Sequence, residues 1–316
     1  MKPLDFSTQG GLWDPCAGSV TPWMSHLGSE EYPPDAKTWG PNASTATFAK
    51  DSSEVQFLRY WGYYQNSSTG VPASKAMEVG MYPYQYGYPW ETVVKEDFTE
   101  TTTKLYAHGR QSVEMSLVMP DEKTVYGSDD GTNCIFTMFV ATTPRNLKEG
   151  KTFCMKMTQT SANDCAASDF TADVSWIEMP TPTHDEARAA ITTTSFTDLF
   201  DFELCSTTGT CTSEGFKPVN VGACECLKVK AGKERLATVF EKRRYAGSPP
   251  FPLIWVSFRN HSPGCSGLVP NTDTMITLCS LPGMHSRASK VRRNDLQQGV
   301  RRQVLRRPER YFSRHA

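Results

Sequence analysis

The chain has 316 residues, 38% hydrophobic and 21% charged, enough apolar material for one large or two average domains and too much for a disordered chain. A net charge of -1 conceals a split: residues 1–286 carry 23 basic and 32 acidic side chains, residues 287–316 ten basic and two acidic. An acidic body is a poor match for nucleic-acid phosphates but suits cations, and the longest apolar run, residues 252–258, is far short of the roughly 18 to 20 residues that cross a bilayer.

The first residues, MKPLDFSTQGGLWDPC, contain no continuous apolar stretch, so no signal peptide is expected there. Residues 1–100 are rich in Gly, Pro, Trp and Tyr and predict β structure with long ordered loops. The aromatic, Pro-punctuated run 81–90 reads as a packed loop rather than a helix. Between 112 and 179, five short alternating runs (113–119, 124–128, 134–141, 152–157 and 174–179) are separated by turn residues such as Pro120-Asp121. They predict an antiparallel meander, as in a sandwich or a propeller blade.

Thr183-His-Asp-Glu186 has the form of a capped helix start with acids in its first turn. Residues 225–230 predict a strand, and 233–245 one amphipathic helix with Leu236, Val239 and Phe240 on one face. After Ala246 the sequence becomes Pro-rich and then Arg-rich, which sets a boundary near 246. The Arg residues of the tail meet no aromatics until Tyr311 and Phe312, so it reads as a solvated charge run.

Ten cysteines are present, well below the density of a small disulfide scaffold. Cys205, Cys211, Cys224 and Cys226 lack the C-x2-C spacing of a structural zinc site, so disulfides or buried thiols are expected instead. Sequons at Asn42, Asn66 and Asn260 would fit a secreted protein, though such triplets also arise by chance.

The densest chemistry lies in 16–31. A chain reversal midway, between Trp23 and Met24, would set Cys16 directly opposite Glu31, close enough to share one ion. Such a pair admits zinc or iron, and Glu30 could help hold a harder cation such as calcium. Taken alone, a buried cysteine beside two surface glutamates is the simpler reading. A second cluster is Gly109-Arg110, Glu114 and Asp129-Asp130. Arg110 can fork onto phosphate oxygens and the paired acids can hold a cation, but an Arg–Glu pair and an acidic turn explain the segment as well. A hydrolase triad from His26 and Ser29 lacks the G-x-S-x-G elbow, and no phosphate-binding or dinucleotide glycine motif is present.

The string Cys-x-Gly-x-Val-Thr-Pro-Trp-x-x-x-Leu-x-x-Glu-Glu, here Cys16 to Glu31, resembles the metal-site signature of PhoX-type alkaline phosphatases. Gly109-Arg110 ahead of Glu114, the Val-Met-Pro-Asp turn and Tyr126-Gly-Ser-Asp129-Asp130 follow in the family's order. The resemblance covers roughly residues 4–245. It implies a mainly β, partial six-bladed β-propeller-like fold with short helical insertions, and a secreted or periplasmic metal-dependent phosphomonoesterase acting on small phosphomonoesters. Its cofactors would be Fe(III) and Ca2+. By the same resemblance Cys16 is the thiolate ligand to iron and Glu31 and Glu114 are carboxylate ligands. Glu30, Asp129 and Asp130 belong to the calcium surroundings, and Arg110 is the catalytic residue. This reverses the simpler reading of Cys16 and Glu31. Phosphomonoester hydrolysis needs accelerations up to about 10²¹, and several cations can neutralise the phosphate and activate an oxygen nucleophile.

The sequence departs from the family at Met24, His26 and Ser29, where Gly, Trp and Cys are usual, and at Val113, where a His is usual. Past Tyr245 the family's further blades and another metal-binding Glu segment do not follow. The expected organisation is therefore a partial PhoX-like domain over 1–245 and a tail over 246–316, disordered or an artefact of a gene model read out of frame. The alternative function is a non-catalytic calcium-binding or partner-binding β scaffold.

Overall fold

A computed structural model describes residues 3–39, 47–48, 52–60, 71–72, 80–131, 134–160, 171–221 and 223–246. The chain divides into two units, Met1–Thr277 and Leu278–Ala316, and every described residue lies in the first. The tail beyond 246 and the three sequons lie outside the described residues.

In chain order the elements are β1 (Ser19–Val20), β2 (His26–Gly28), α1 (Ala36–Trp39), β3 (Thr47–Phe48), α2 (Ser53–Tyr60), β4 (Val71–Pro72), β5 (Trp90–Val94) and β6 (Glu100–Lys104). They continue with β7 (Val113–Val118), β8 (Thr124–Asp129), β9 (Thr137–Ala141), β10 (Gly150–Gln159), β11 (Ala172–Glu178), α3 (His184–Ala190) and α4 (Phe196–Leu199). The last are β12 (Phe200–Leu204), β13 (Lys217–Val221), β14 (Ala223–Val229), α5 (Glu234–Phe240) and α6 (Lys242–Ala246).

The fold is mainly β. Its antiparallel sheets have strand orders β1-β2-β5-β6, β11-β10-β9-β8-β7 and β12-β14-β13, with β3-β4 a separate pair, and they do not close into a barrel. The five-stranded sheet is the expected meander. Buried and part-buried residues alternate along β8 and β9 and along Ser116–Val118 of β7, the period-2 pattern of a strand with one face on the core. The β7–β8 turn is fixed by Asp121, whose carboxylate accepts from the backbone N–H groups of Lys123 (3.0 Å) and Thr124 (2.9 Å). Leu27, Leu105, Val118, Val125 and Phe139 pack between the four- and five-stranded sheets.

The capping box at α3 is present in full: the Thr183 side chain accepts from Glu186 N, and Thr183 N donates to the Glu186 carboxylate. The run 81–90 is non-α, a 3-10 turn over Pro83–Gln85 with Tyr84 and Tyr88 buried. The single helix expected over 233–245 is instead α5 and α6. Glu241 between them leaves helical geometry (φ -133°, ψ 48°), its buried carboxylate held by the Tyr84 hydroxyl and Arg244. Val239 and Phe240 still face the core.

Two disulfides, Cys205–Cys224 and Cys211–Cys226, staple the β13–β14 hairpin to the segment after β12. The four cysteines singled out in the sequence are thus crosslinked rather than metal-bound. No helix among the described residues is long and apolar enough to cross a membrane.

Beneath the first sheet lies a fully buried ion pair. Lys104 at the end of β6 and Glu30 just after β2 have side chains 0% exposed, with Nζ and Oε1 2.9 Å apart. The Glu30 carboxylate also accepts from the backbone N–H groups of Trp13 (2.7 Å), Gly87 (3.0 Å) and Tyr88 (3.2 Å). Lys104 donates to Gln85 O and lies over the Tyr86 ring. Removing one member leaves an uncompensated buried charge, so Lys104→Met is expected to cost about 3–5 kcal/mol in denaturant unfolding, partly recovered by adding Glu30→Gln. A loss below about 1 kcal/mol would show that the pair is not buried.

Two histidines report on acid stability. His108 is stacked on Phe139 and bonded to Leu147 O, and His184 packs on Tyr106. Burial pushes their pKa values down to about 3 and about 4, whereas unfolded histidine takes a proton near pH 6.5. The folded state therefore binds fewer protons than the unfolded chain below pH 6.5. Stability falls as pH drops from there toward the folded values. An NMR titration should show both rings neutral at pH 5.5, and midpoints near 6.5 would contradict their burial.

Candidate metal centre

The β1–β2 hairpin is shorter in register than its sequence midpoint implies. A three-residue loop with Met24 in left-handed geometry (φ 67°) closes it, held by Thr21 N to Ser25 O and Met24 N to Thr21 O. Ser19 pairs with Leu27 and Val20 with His26. One extra residue on the Cys16–Gly18 side then sets Pro15 opposite Glu30. Cys16 N consequently donates to Ser29 O, and Glu31 N to Asp14 O.

Cys16 and Glu31 are therefore diagonal neighbours, not directly opposed as the midpoint predicts. Diagonal side chains on one face still meet when they are long enough. A third donor comes from β7. Val113 N donates to Glu30 O and Ser29 Oγ to Glu114 O, so β7 starts beside the Cys16–Glu31 segment. A bulge between Val113 and Ser116 interrupts its pairing with β8, and bulges re-aim side chains. Here Glu114 joins Cys16 and Glu31, with one donor atom from each lying within 4.8 Å of the others.

The electrostatics are those of negative groups crowded without a counter-cation. Partial burial, then Glu31 and Glu114, push the exposed Cys16 thiol up to about 11. Desolvation, with Glu114 and Asp130 alongside, raises the Glu31 carboxyl to about 7. Asp130 completes the rim: the Tyr32 hydroxyl and Gly131 N donate to its carboxylate, and the Tyr32 bond is the main reason its pKa is lowered. Among the described residues no Lys or Arg forms an ion pair with Glu31 or Glu114. A soft thiol beside hard carboxylates, with no internal cation to answer them, is a donor set that suits a bound metal ion.

The other candidate residues stand apart from this group. Glu30 is adjacent in sequence but points the other way, into its cradle with Lys104. Asp129 accepts from Ser112 N, Ile135 N and Arg243 Nε; burial still raises its pKa despite the guanidinium. Arg110 is 7% exposed and donates to the carbonyls of Pro34, Tyr86 and Phe240. Ser29 is bonded to Ala17 O and His26 packs on Trp90, so no triad forms between them.

Arg110 lies on the wall of a cavity of about 300 Å³ that also includes Tyr32, Gln111, Lys242, Arg243 and Arg244. The chain reaches this site a second time through α6. Arg243 bonds Asp129 and the Asp130 carbonyl, and Arg244 pairs with Asp35, Glu225 and Glu241. Burial would raise the Asp35 carboxyl, but Arg244 outweighs it and holds it below the usual range. Lys242 is buried and bonded to His108 O, and desolvation lowers its pKa to about 8. The contributions of Tyr32, Lys242 and Arg243 have no signature in the sequence.

The family model for alkaline phosphatase PhoX matches residues 3–229. The chain belongs to that family, whose members are metalloenzymes acting as phosphatases. No curated protein and no solved structure matches the chain. The matched range contains Cys16, Glu31 and Glu114 and stops before α5 and α6.

Proposed function

We propose that this protein is a metal-dependent phosphomonoesterase whose cations are held by Cys16, Glu31 and Glu114, with Asp130 at the rim. The convergence of one thiol and two carboxylates without a basic partner supports the reading most directly, and membership of the PhoX family supplies the reaction class. By donor chemistry Fe(III) would take the thiolate side and Ca2+ the carboxylate side.

Bound cations would supply charge neutralisation for the phosphoryl oxygens and Lewis acidity toward the attacking oxygen. The chain's own residues provide position. The Cys16–Ser29 and Glu31–Asp14 backbone bonds hold two donors in place, and the bulge in β7 turns the third toward them. Tyr32 keeps its proton on Oη, its pKa raised chiefly by the bond to Asp130, and so fixes that carboxylate. Arg243 ties Asp129 and the Asp130 backbone together, holding the Asp129–Asp130 corner against α6.

The same reading takes the three larger sheets as blades of a propeller-like arrangement and puts the protein in a periplasmic or extracellular compartment. Two disulfides suit an oxidising compartment. Residues 1–245 form the phosphatase domain and 246–316 a separate tail.

Phosphate release from 4-nitrophenyl phosphate tests this. Wild-type activity should disappear with a strong chelator and return with added iron and calcium. Cys16→Ser and Glu114→Gln should each lose about 100-fold or more, beyond the 10–100-fold typical of groups behind metal ligands. Full activity in both variants would overturn the assignment.

A further inference from the structure

The three-stranded sheet gathers four sulfurs in one place. Cys224 and Cys226 flank Glu225 on β14, so both lie on the same face of that strand. β12 pairs with β14 so that Glu203 is opposite Cys226 and Leu204 opposite Glu225. Continuing that register sets Cys205 opposite Cys224. The two disulfides, Cys205–Cys224 and Cys211–Cys226, consequently lie side by side, with Sγ of Cys226 and Sγ of Cys205 3.5 Å apart. Zinc–sulfur bonds of about 2.3 Å in a tetrahedron put neighbouring sulfurs about 3.8 Å apart. Two sulfurs from different crosslinks thus stand near the spacing of ligands to one ion.

Glu203 gives an independent sign. One donor atom from each of Glu203, Cys211 and Cys226 lies within 4.8 Å of the others. The loop that brings Cys211 there is held by hydrogen bonds as well as by its sulfur. The Glu203 carboxylate accepts from Thr212 N (2.7 Å) and Ser213 N (3.1 Å) and from both hydroxyls, and Ser206 N donates to Thr210 O within the loop. β14 is paired on one side with β12 and on the other with β13. Backbone pairing and the Glu203 bonds therefore keep the donors together when the S–S bonds are open. Cys226 is 0% exposed, whereas Cys205, Cys211 and Cys224 are half-buried and within reach of solvent. The C-x2-C spacing of a zinc knuckle is dispensable here because strand pairing supplies the convergence.

We infer that this hairpin has a reduced form in which Cys205, Cys211, Cys226 and the Glu203 carboxylate bind one zinc ion, at a site separate from Cys16, Glu31 and Glu114. Each disulfide takes two electrons and two protons and becomes two thiols. The reductant is a dithiol, itself oxidised to a disulfide, or a phosphine, oxidised to its oxide with oxygen from water. Zinc then displaces three thiol protons to solvent as the thiolates bind, and Cys224 remains a thiol. The consequence is a crosslink under both redox conditions: disulfides where they persist, and zinc where thiols are kept reduced. What the crosslink fixes is Glu225, whose carboxylate pairs with Lys37 and Arg244. The inference goes beyond the phosphatase reading and does not depend on it.

Cobalt(II) is the probe, because its bonds to thiolate absorb strongly in the near ultraviolet and zinc displaces it. Titrated into the full chain, it should fill one more thiolate site after phosphine reduction than before, and zinc should bleach the new absorbance. Cys16→Ser and Cys224→Ser should keep that added equivalent, while Cys211→Ser and Cys226→Ser should lose it. Glu203→Gln should weaken it at least about tenfold, the lower end of what even groups behind metal ligands contribute. No added equivalent in reduced wild type, or one that survives in both Cys211→Ser and Cys226→Ser, would overturn the proposal. Loss in Cys16→Ser would place the ion at the other cluster, and loss in Cys224→Ser would refute the ligand set.

Should the serine variants fail to fold, alkylation of the reduced wild type, mapped by mass spectrometry, decides. Zinc must slow modification of Cys205, Cys211 and Cys226 about tenfold or more while leaving Cys224 reactive, by the same measure of ligand protection. Equal rates at these cysteines with and without zinc refute the site.

Discussion

The buried pair of Glu30 and Lys104 is the constraint on which the site depends. An ion pair with no solvent access is tolerated only when its geometry is good and its remaining lone pairs are met. Here they are met by Trp13, Gly87 and Tyr88, which come from two separate stretches of the chain. A single carboxylate therefore ties the N-terminal segment, the aromatic loop before β5 and the end of β6 into one position. Once Glu30 points inward, its neighbour Glu31 must point outward, because successive side chains of an extended segment face opposite ways. Alternation converts a structural anchor into the placement of a donor.

The same economy recurs at the other acidic pair. Asp129 is buried, capping the Ser112 and Ile135 backbone N–H groups and pairing with Arg243, and Asp130 faces the cluster with Tyr32. In both pairs one acid holds the fold and the next meets the site. Each corner remains in place only while its inward acid keeps its cation. Stability and site geometry are thereby linked through Lys104 on one side and Arg243 on the other.

Much of the fold was legible in the sequence because strand alternation is a local signal. The five runs between 112 and 179 appear as β7 to β11 with small changes at their ends, and Thr183 to Glu186 caps α3 as its spacing implied. The period-3.6 pattern of 233–245 correctly marked Val239 and Phe240 as core. It could not show the break at Glu241, where the buried carboxylate takes a non-local bond from Tyr84. Cys16 and Glu31 were recognisable as partners, but their register was not, since it is set by the left-handed Met24 turn and one extra residue rather than by the midpoint. Nothing local distinguishes Glu30 from Glu31, or Asp129 from Asp130. Only the tertiary location of Lys104 and Arg243 does. The pairing of Cys205 with Cys224 and Cys211 with Cys226 was equally beyond local reasoning, since four cysteines allow several connectivities.

The central claim is that the thiol of Cys16 and the carboxylates of Glu31 and Glu114 surround a metal ion. Iron K-edge X-ray absorption on the full chain, reconstituted with iron and calcium, addresses this directly because sulfur and oxygen neighbours scatter differently. The account predicts a sulfur atom bonded to iron in the wild type, lost in Cys16→Ser while oxygen neighbours remain. Iron surrounded only by oxygen and nitrogen in the wild type, or a sulfur contribution that survives Cys16→Ser, would contradict it.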